Sequence, residues 1–91
     1  MTEQNRVGHA QHLKAVNHPI RRQILRLVNE KDKIEKQNLI GLLKESDTID
    51  NEEVFNYHMD FLLQSYCIEK IENENELIYK ILPGGKVIEN F

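Results

Sequence analysis

Asp50-Asn51-Glu52-Glu53-Val54-Phe55-Asn56-Tyr57-His58-Met59-Asp60-Phe61-Leu62-Leu63-Gln64-Ser65-Tyr66-Cys67-Ile68 carries the helical period around which the other elements are placed. Phe55, Met59, Leu62, Leu63 and Tyr66 fall at i, i+4, i+7, i+8 and i+11, one stripe of a 3.6-residue helix. The spacing predicts a helix over residues 51–66. Asp50 stands at the N-cap position, and Glu53 three residues on is spaced to reach back to the cap amide, closing a capping box. Opposite the stripe lie Glu52, Glu53, Asn56, Tyr57, Asp60 and Gln64. That face holds side chains able to read base edges, together with carboxylates that phosphates repel.

Upstream, Val7, Ala10, Leu13 and Val16 recur every third position and predict a helix over residues 6–17, which His18-Pro19 ends. Pro19 suits the first position of the next helix, residues 19–30, where Ile20, Ile24, Leu27 and Val28 form the apolar stripe. Glu30-Lys31-Asp32-Lys33 reads as a charged turn. Leu39, Ile40, Leu42 and Leu43 then build a third helix over residues 35–45, and Glu45-Ser46-Asp47-Thr48-Ile49 is a polar connection.

Downstream the period changes. Cys67-Ile68-Glu69-Lys70-Ile71-Glu72 and Leu77-Ile78-Tyr79-Lys80-Ile81-Leu82 are rich in β-branched and aromatic residues, with Asn73-Glu74-Asn75-Glu76 between them. They predict a hairpin with strands over residues 67–72 and 77–82. Pro83-Gly84-Gly85 interrupts it, leaving room for a short C-terminal helix over residues 84–90.

A hairpin directly after the last helix of a helix-turn-helix is a wing, so the expected architecture is mostly α with a small β-hairpin: a winged helix-turn-helix. The 91 residues suit a single domain, 1–91. One cysteine precludes an internal disulfide, and the sequence shows neither a signal-peptide run nor a membrane span, so a cytoplasmic protein without membrane contact is expected. Charge is divided unevenly: residues 1–44 hold nine Lys or Arg against four Asp or Glu, net +5, and residues 45–91 hold three against eleven, net −8. Such a division bears on partners rather than on fold.

His18-Pro19-Ile20-Arg21-Arg22-Gln23-Ile24-Leu25 resembles the opening of the second helix in ArsR-type winged-helix transcriptional regulators and their archaeal relatives. Asn56 to Ile68 resembles that family's recognition helix and its run into the wing, and Tyr79-Lys80-Ile81-Leu82-Pro83 its wing exit. The resemblance spans residues 10–88. It implies sequence-specific duplex binding by a homodimer built from the first and last helices, here through Val7, Ala10, Leu13, Val87, Ile88 and Phe91. Four departures stand out. Asn38-Leu39-Ile40-Gly41-Leu42-Leu43 lacks the Cys-x-Cys pair of metal-sensing members, which removes metal sensing. Glu52 and Glu53 replace small polar residues, and Asp60 replaces a usual lysine. The wing tip is acidic where it is often arginine-rich. The connection before the recognition helix is longer than a tight turn.

The expected DNA contacts are Lys36, Gln37, Asn51, Asn56, Tyr57, Gln64 and Lys70, each with a solvated polar surface as the alternative reading. Arg21, Arg22 and Arg26 read as a solvated face or an inter-helix ion pair, and Lys31 and Lys33 as a solvated rim. His9 and His12 are spaced i, i+3, but no cysteine or carboxylate joins them nearby, so no metal is expected. His58 reads as a half-buried packing histidine and Cys67 as a small, inert core residue. No phosphate loop and no nucleophile–base–orienter set can be assembled, so neither a cofactor nor an enzyme is expected. Two functions remain open: a dimeric regulator binding double-stranded DNA, and an interaction module whose acidic recognition helix and wing dock a basic protein partner without DNA.

Overall fold

Pro19 has no amide hydrogen to lose, and helix α1 (Pro19–Lys31) opens on it. The His18 ring caps this helix, its Nδ1 accepting the Ile20 N–H at 3.1 Å. The computed structural model describes the backbone of residues 14–90 and the side chains of residues 14–86. Of the helix expected over 6–17, only its end at 14–16 falls within that range, and it is helical. Val7, Ala10, Leu13 and Phe91 lie outside the described residues, as do the side chains of Val87 and Ile88.

After α1, Asp32 turns the chain with φ 67, a left-handed conformation that aspartate tolerates. The next three residues form a strand, β1 (Lys33–Glu35), where a charged turn running into a helix was expected. Helix α2 (Lys36–Glu45) follows without a side-chain cap and buries Leu39, Ile40 and Leu43. In the connection to the next helix, Ile49 is buried, so the stretch expected to be polar is pinned to the core.

Helix α3 (Glu52–Gln64) buries Phe55, His58, Met59 and Leu62. Both of its ends differ from the expected 51–66. The cap is Asn51 rather than Asp50: Val54 N–H donates to Asn51 Oδ1 at 3.0 Å. Glu53 therefore sits one position too early in the first turn to complete a capping box. At the other end Ser65 is the C-cap and Tyr66 adopts φ 58, which swings its ring off the apolar stripe to 63% exposure.

Strands β2 (Ile68–Glu72) and β3 (Leu77–Ile81) form the expected hairpin, with Ile68 opposite Ile81 and Glu72 opposite Leu77. The sheet has three strands in the order β1-β3-β2, all antiparallel, because Lys33, Ile34 and Glu35 pair with Lys80, Tyr79 and Ile78. The closing segment, Pro83–Asn90, is a 3-10 helix rather than an α-helix. In the core, Ile24, Leu25 and Val28 of α1 join Phe55, Met59 and Leu62 of α3 and the α2 leucines, with Ile34, Ile68, Tyr79 and Ile81 from the sheet. The Phe55 and Tyr79 rings meet at 5.9 Å, tying α3 to the middle strand. Among the described residues no helix is long and apolar enough to cross a membrane.

Candidate nucleic-acid interface

With Phe55, Met59 and Leu62 turned inward, the helical period turns Asn56, Tyr57, Asp60 and Gln64 outward, and all four are exposed. Tyr57 is 65% exposed, unusual for so large a ring. Glu52 and Glu53 occupy the first turn, where the positive end of the helix dipole favours carboxylates. Asn51, an expected base or phosphate contact, commits its Oδ1 to the cap. Gln64 lies at the far end, about 12 Å from Asn56 at the helical rise of 1.5 Å per residue.

The start of α2 meets the start of α3 through one ion pair, Lys36 Nζ to Glu52 Oε2 at 3.4 Å. Lys36 is thus beside the face, with a carboxylate already engaging it, and the exposed Gln37 follows it. Glu35, Lys36 and Gln37 also border an open groove of about 540 Å³, whose other wall is the wing tip from Glu72 to Leu77. Lys70 is exposed on β2, opposite Tyr79 in register. Lys80 is engaged by Asp32 at 3.7 Å. The field over this region is negative: burial, then Asp60, Glu52 and Glu72, push the Tyr79 hydroxyl up to about 12.

Beneath the face is a buried cluster that the sequence did not reveal. Arg21, expected on a solvated face, is 6% exposed. Its Nε donates to Ala15 O and its Nη2 to Lys14 O, both at 2.9 Å. Arg22 Nε donates to Val16 O at 3.0 Å, so the two arginines add donors to the carbonyls of the helical end at 14–16, where Lys14 O also accepts the Asn17 N–H at 3.4 Å. Arg21 Nη1 also stands 3.0 Å from His58 Nδ1, and its guanidinium lies over the Phe61 ring at 4.2 Å. A guanidinium only donates, so Nδ1 is the unprotonated nitrogen of His58. Burial, then His18 and Arg21, lower the His58 pKa to about 4, and burial followed by Arg21 lowers that of His18. His58 is therefore a buried hydrogen-bonding group rather than a half-buried packing one. The signal that points to the cluster is a pair of arginines just past a helix end whose carbonyls need donors.

Cys67 is wholly buried, and burial pushes its thiol up to about 11, as a small inert core residue requires. Among the described residues no group of three His, Cys, Asp or Glu side chains is gathered as a metal would need.

No protein-family model matches the chain, and no curated protein matches it. Solved structures do. The transcriptional repressor BigR from Xylella fastidiosa superposes with a TM-score of 0.74 at 16% identity, over 89% of this chain and 79% of that one. A possible transcriptional regulator for arsenical resistance gives 0.70 at 15% identity, over 88% and 77%. An ArsR family transcriptional regulator gives 0.68 at 18% identity, over 89% and 77%. At these identities the likeness speaks for architecture, and it agrees with the helix order and the wing: the chain has the winged helix-turn-helix fold that these structures share.

Proposed function

We propose that this protein is a transcriptional regulator that binds duplex DNA as a homodimer, with α3 entering the major groove and the wing lying along the backbone. The observation that carries this reading is the outward face of α3. Asn56, Tyr57 and Gln64 are exposed on the second helix of a helix-turn-helix whose opposite face is built into the core. The solved structures that share the fold are themselves described as transcriptional regulators, which supports the same reading. Asn56 and Gln64 supply amides that can pair with adenine, Tyr57 a hydroxyl, and Lys36, Gln37 and Lys70 contacts to phosphate. Asn51 contributes through its NH2 group, since its oxygen caps the helix. Dimerisation through Val7, Ala10, Leu13, Val87, Ile88 and Phe91 pairs two such helices on half-sites about one helical turn apart. The test is duplex binding by the full chain from a random pool at several salt concentrations, with sedimentation of the free protein. Sequence preference in a dimer upholds the proposal; a monomer without preference at any salt ends it.

The acidic groove favours a second reading. Glu35, Glu72, Glu74 and Glu76 line it, with Lys36 as the cation among the lining residues. Under that reading the wing and α3 dock a basic protein segment and never meet phosphate. It is distinguished by tight binding of a lysine- and arginine-rich peptide with no duplex preference.

A further inference from the structure

We propose that Arg21 is a positioning residue for duplex reading, holding the exposed Tyr57 ring in its binding attitude through His58. This inference rests on the DNA-binding reading above.

The chain of contacts runs from the interior to the surface. Arg21 engages the carbonyls of Lys14 and Ala15, the Nδ1 of His58 and the face of Phe61 at once. A planar guanidinium held on three edges and one face has no rotamer freedom left, so whatever it holds is held rigidly. What it holds is one edge of the His58 imidazole. Two other rings meet it: the His18 ring at 4.4 Å, tilted by 42°, and the Tyr57 ring at 4.9 Å, nearly edge-on at 76°. His18 is fixed in turn by capping α1 with its Nδ1. His58 is thus clamped from two sides by α1 and its cap, and it presents a fixed surface to Tyr57.

Tyr57 needs such a surface. It is 65% exposed, and an exposed side chain exchanges among staggered rotamers unless a neighbour selects one. The edge-on contact with His58 is that neighbour. Contacts to base edges depend on closely set geometry, whereas phosphate contacts set register and salt dependence without sequence information. The phosphate candidates Lys36 and Lys70 do not touch the cluster. Loss of Arg21 or of the His58 acceptor therefore costs sequence preference and spares the electrostatic part of binding.

The experiment starts from the duplex that the full-length wild type selects from a random pool. Affinity for it and for a scrambled duplex is then measured across a salt series for wild type, Arg21→Met, His58→Leu and His58→Asn, with folding checked by thermal melts. The Asn Oδ1 stands where Nδ1 stood and accepts the same hydrogen bond. Arg21→Met and His58→Leu are expected to reduce the preference for the selected over the scrambled duplex about tenfold, with the salt slope unchanged. His58→Asn keeps the acceptor for Arg21 but not the ring that meets Tyr57, so it should lose the preference as His58→Leu does. If Arg21→Met does not fold, the two His58 variants decide the matter. A parallel fall on both duplexes, or His58→Asn keeping the preference without the ring, overturns the proposal and leaves Arg21 a purely structural tie. Wild type that selects no duplex overturns the DNA-binding reading and this inference with it. Wild type that selects one, with the variants unchanged, overturns this inference alone.

Discussion

Lys36 Nζ lies 3.4 Å from Glu52 Oε2, so a cation at the start of α2 is engaged by the first residue of α3. Half of the Glu52 side chain is exposed, and water screens the pair, so its contribution to folding is small. Under the proposed DNA binding its effect is larger, because Glu52→Gln removes a charge that phosphate opposes and also frees Lys36. Duplex affinity of the variant should rise by about 1 kcal/mol at low salt. The salt slope should steepen by roughly one counterion. Fluorescence anisotropy at two salt concentrations measures both; an unchanged or weaker affinity in a folded variant removes α3 from the DNA contact surface.

His58 makes folding pH-dependent. The folded protein holds it neutral with a pKa of about 4 against an ordinary 6.5, so the unfolded chain binds the proton more readily. Its stabilising effect is complete above pH 6.5 and is lost as pH falls toward 4. Arg21 and His18 face it from α1 and its cap, and Tyr57 from its own helix; none of these is a carboxylate that would offset the charge. The loss should be on the order of 2 kcal/mol. Denaturation midpoints measured from pH 7.5 to 4.5 should fall more steeply in wild type than in His58→Asn, and parallel profiles would count against the assignment.

The cap of α3 separates two neighbouring residues. Asn51→Ala leaves the Val54 N–H without its acceptor and should cost about 1 kcal/mol in urea denaturation. Asn51→Asp should cost little, because a carboxylate oxygen accepts the same bond and favours the helix N-terminus. Asp50→Ala should be near neutral. A larger loss at Asp50 than at Asn51 would restore the capping box that the residue spacing suggests.

Two glycines should respond in opposite directions. Gly41 is in the interior of α2 with open space where a Cβ would stand, so Gly41→Ala should stabilise the protein by roughly 0.5–1 kcal/mol. At Gly85 a Cβ would run into the Cys67 carbonyl oxygen, and it would come within 2.8 Å of Ile81 Cδ1. That carbonyl already accepts the Leu82 N–H at 3.0 Å and has no room to move. Gly85→Ala should therefore destabilise by about 2 kcal/mol or more. Thermal melts of both variants test the pair; equal effects would mean that Gly85 does not sit against Cys67 O, Ile81 and Leu25.

The stripes of α1 and α3 were legible because a 3.6-residue period is local, and Ile24, Val28, Phe55, Met59 and Leu62 are buried as it requires. The wing was legible from β-branched runs on either side of a polar tip. β1 was not, since Lys33-Ile34-Glu35 offers one apolar residue and becomes a strand only through distant partners. Tyr66 satisfied the period on paper, yet the chain leaves the helix at Ser65 and turns the ring outward.

The outward polar face of α3 followed from the same period, and Asn56, Tyr57 and Gln64 are exposed accordingly. The support beneath it did not. Arg21, Arg22 and Arg26 look alike as letters on one helix, but the first two donate to the carbonyls of the preceding turn, and Arg26 pairs with Gln23. Arg21 reaches His58 across 37 positions of sequence, a separation that no local pattern encodes.

The strand order β1-β3-β2 has a consequence for how the molecule is made. Of the three strands described, the last in sequence is the middle one, so Lys33 waits for Lys80, and Ile68 for Ile81, before either side of the sheet can form. An isolated two-stranded hairpin is marginal in water, so the ladder to β1 anchors the base of the wing. Until β3 arrives, Ile34 and Phe55 lack Tyr79, and the helices expose apolar surface that chaperones or other nascent chains can meet. The three-stranded sheet therefore closes only once Leu77–Ile81 has been made, however early the helices form.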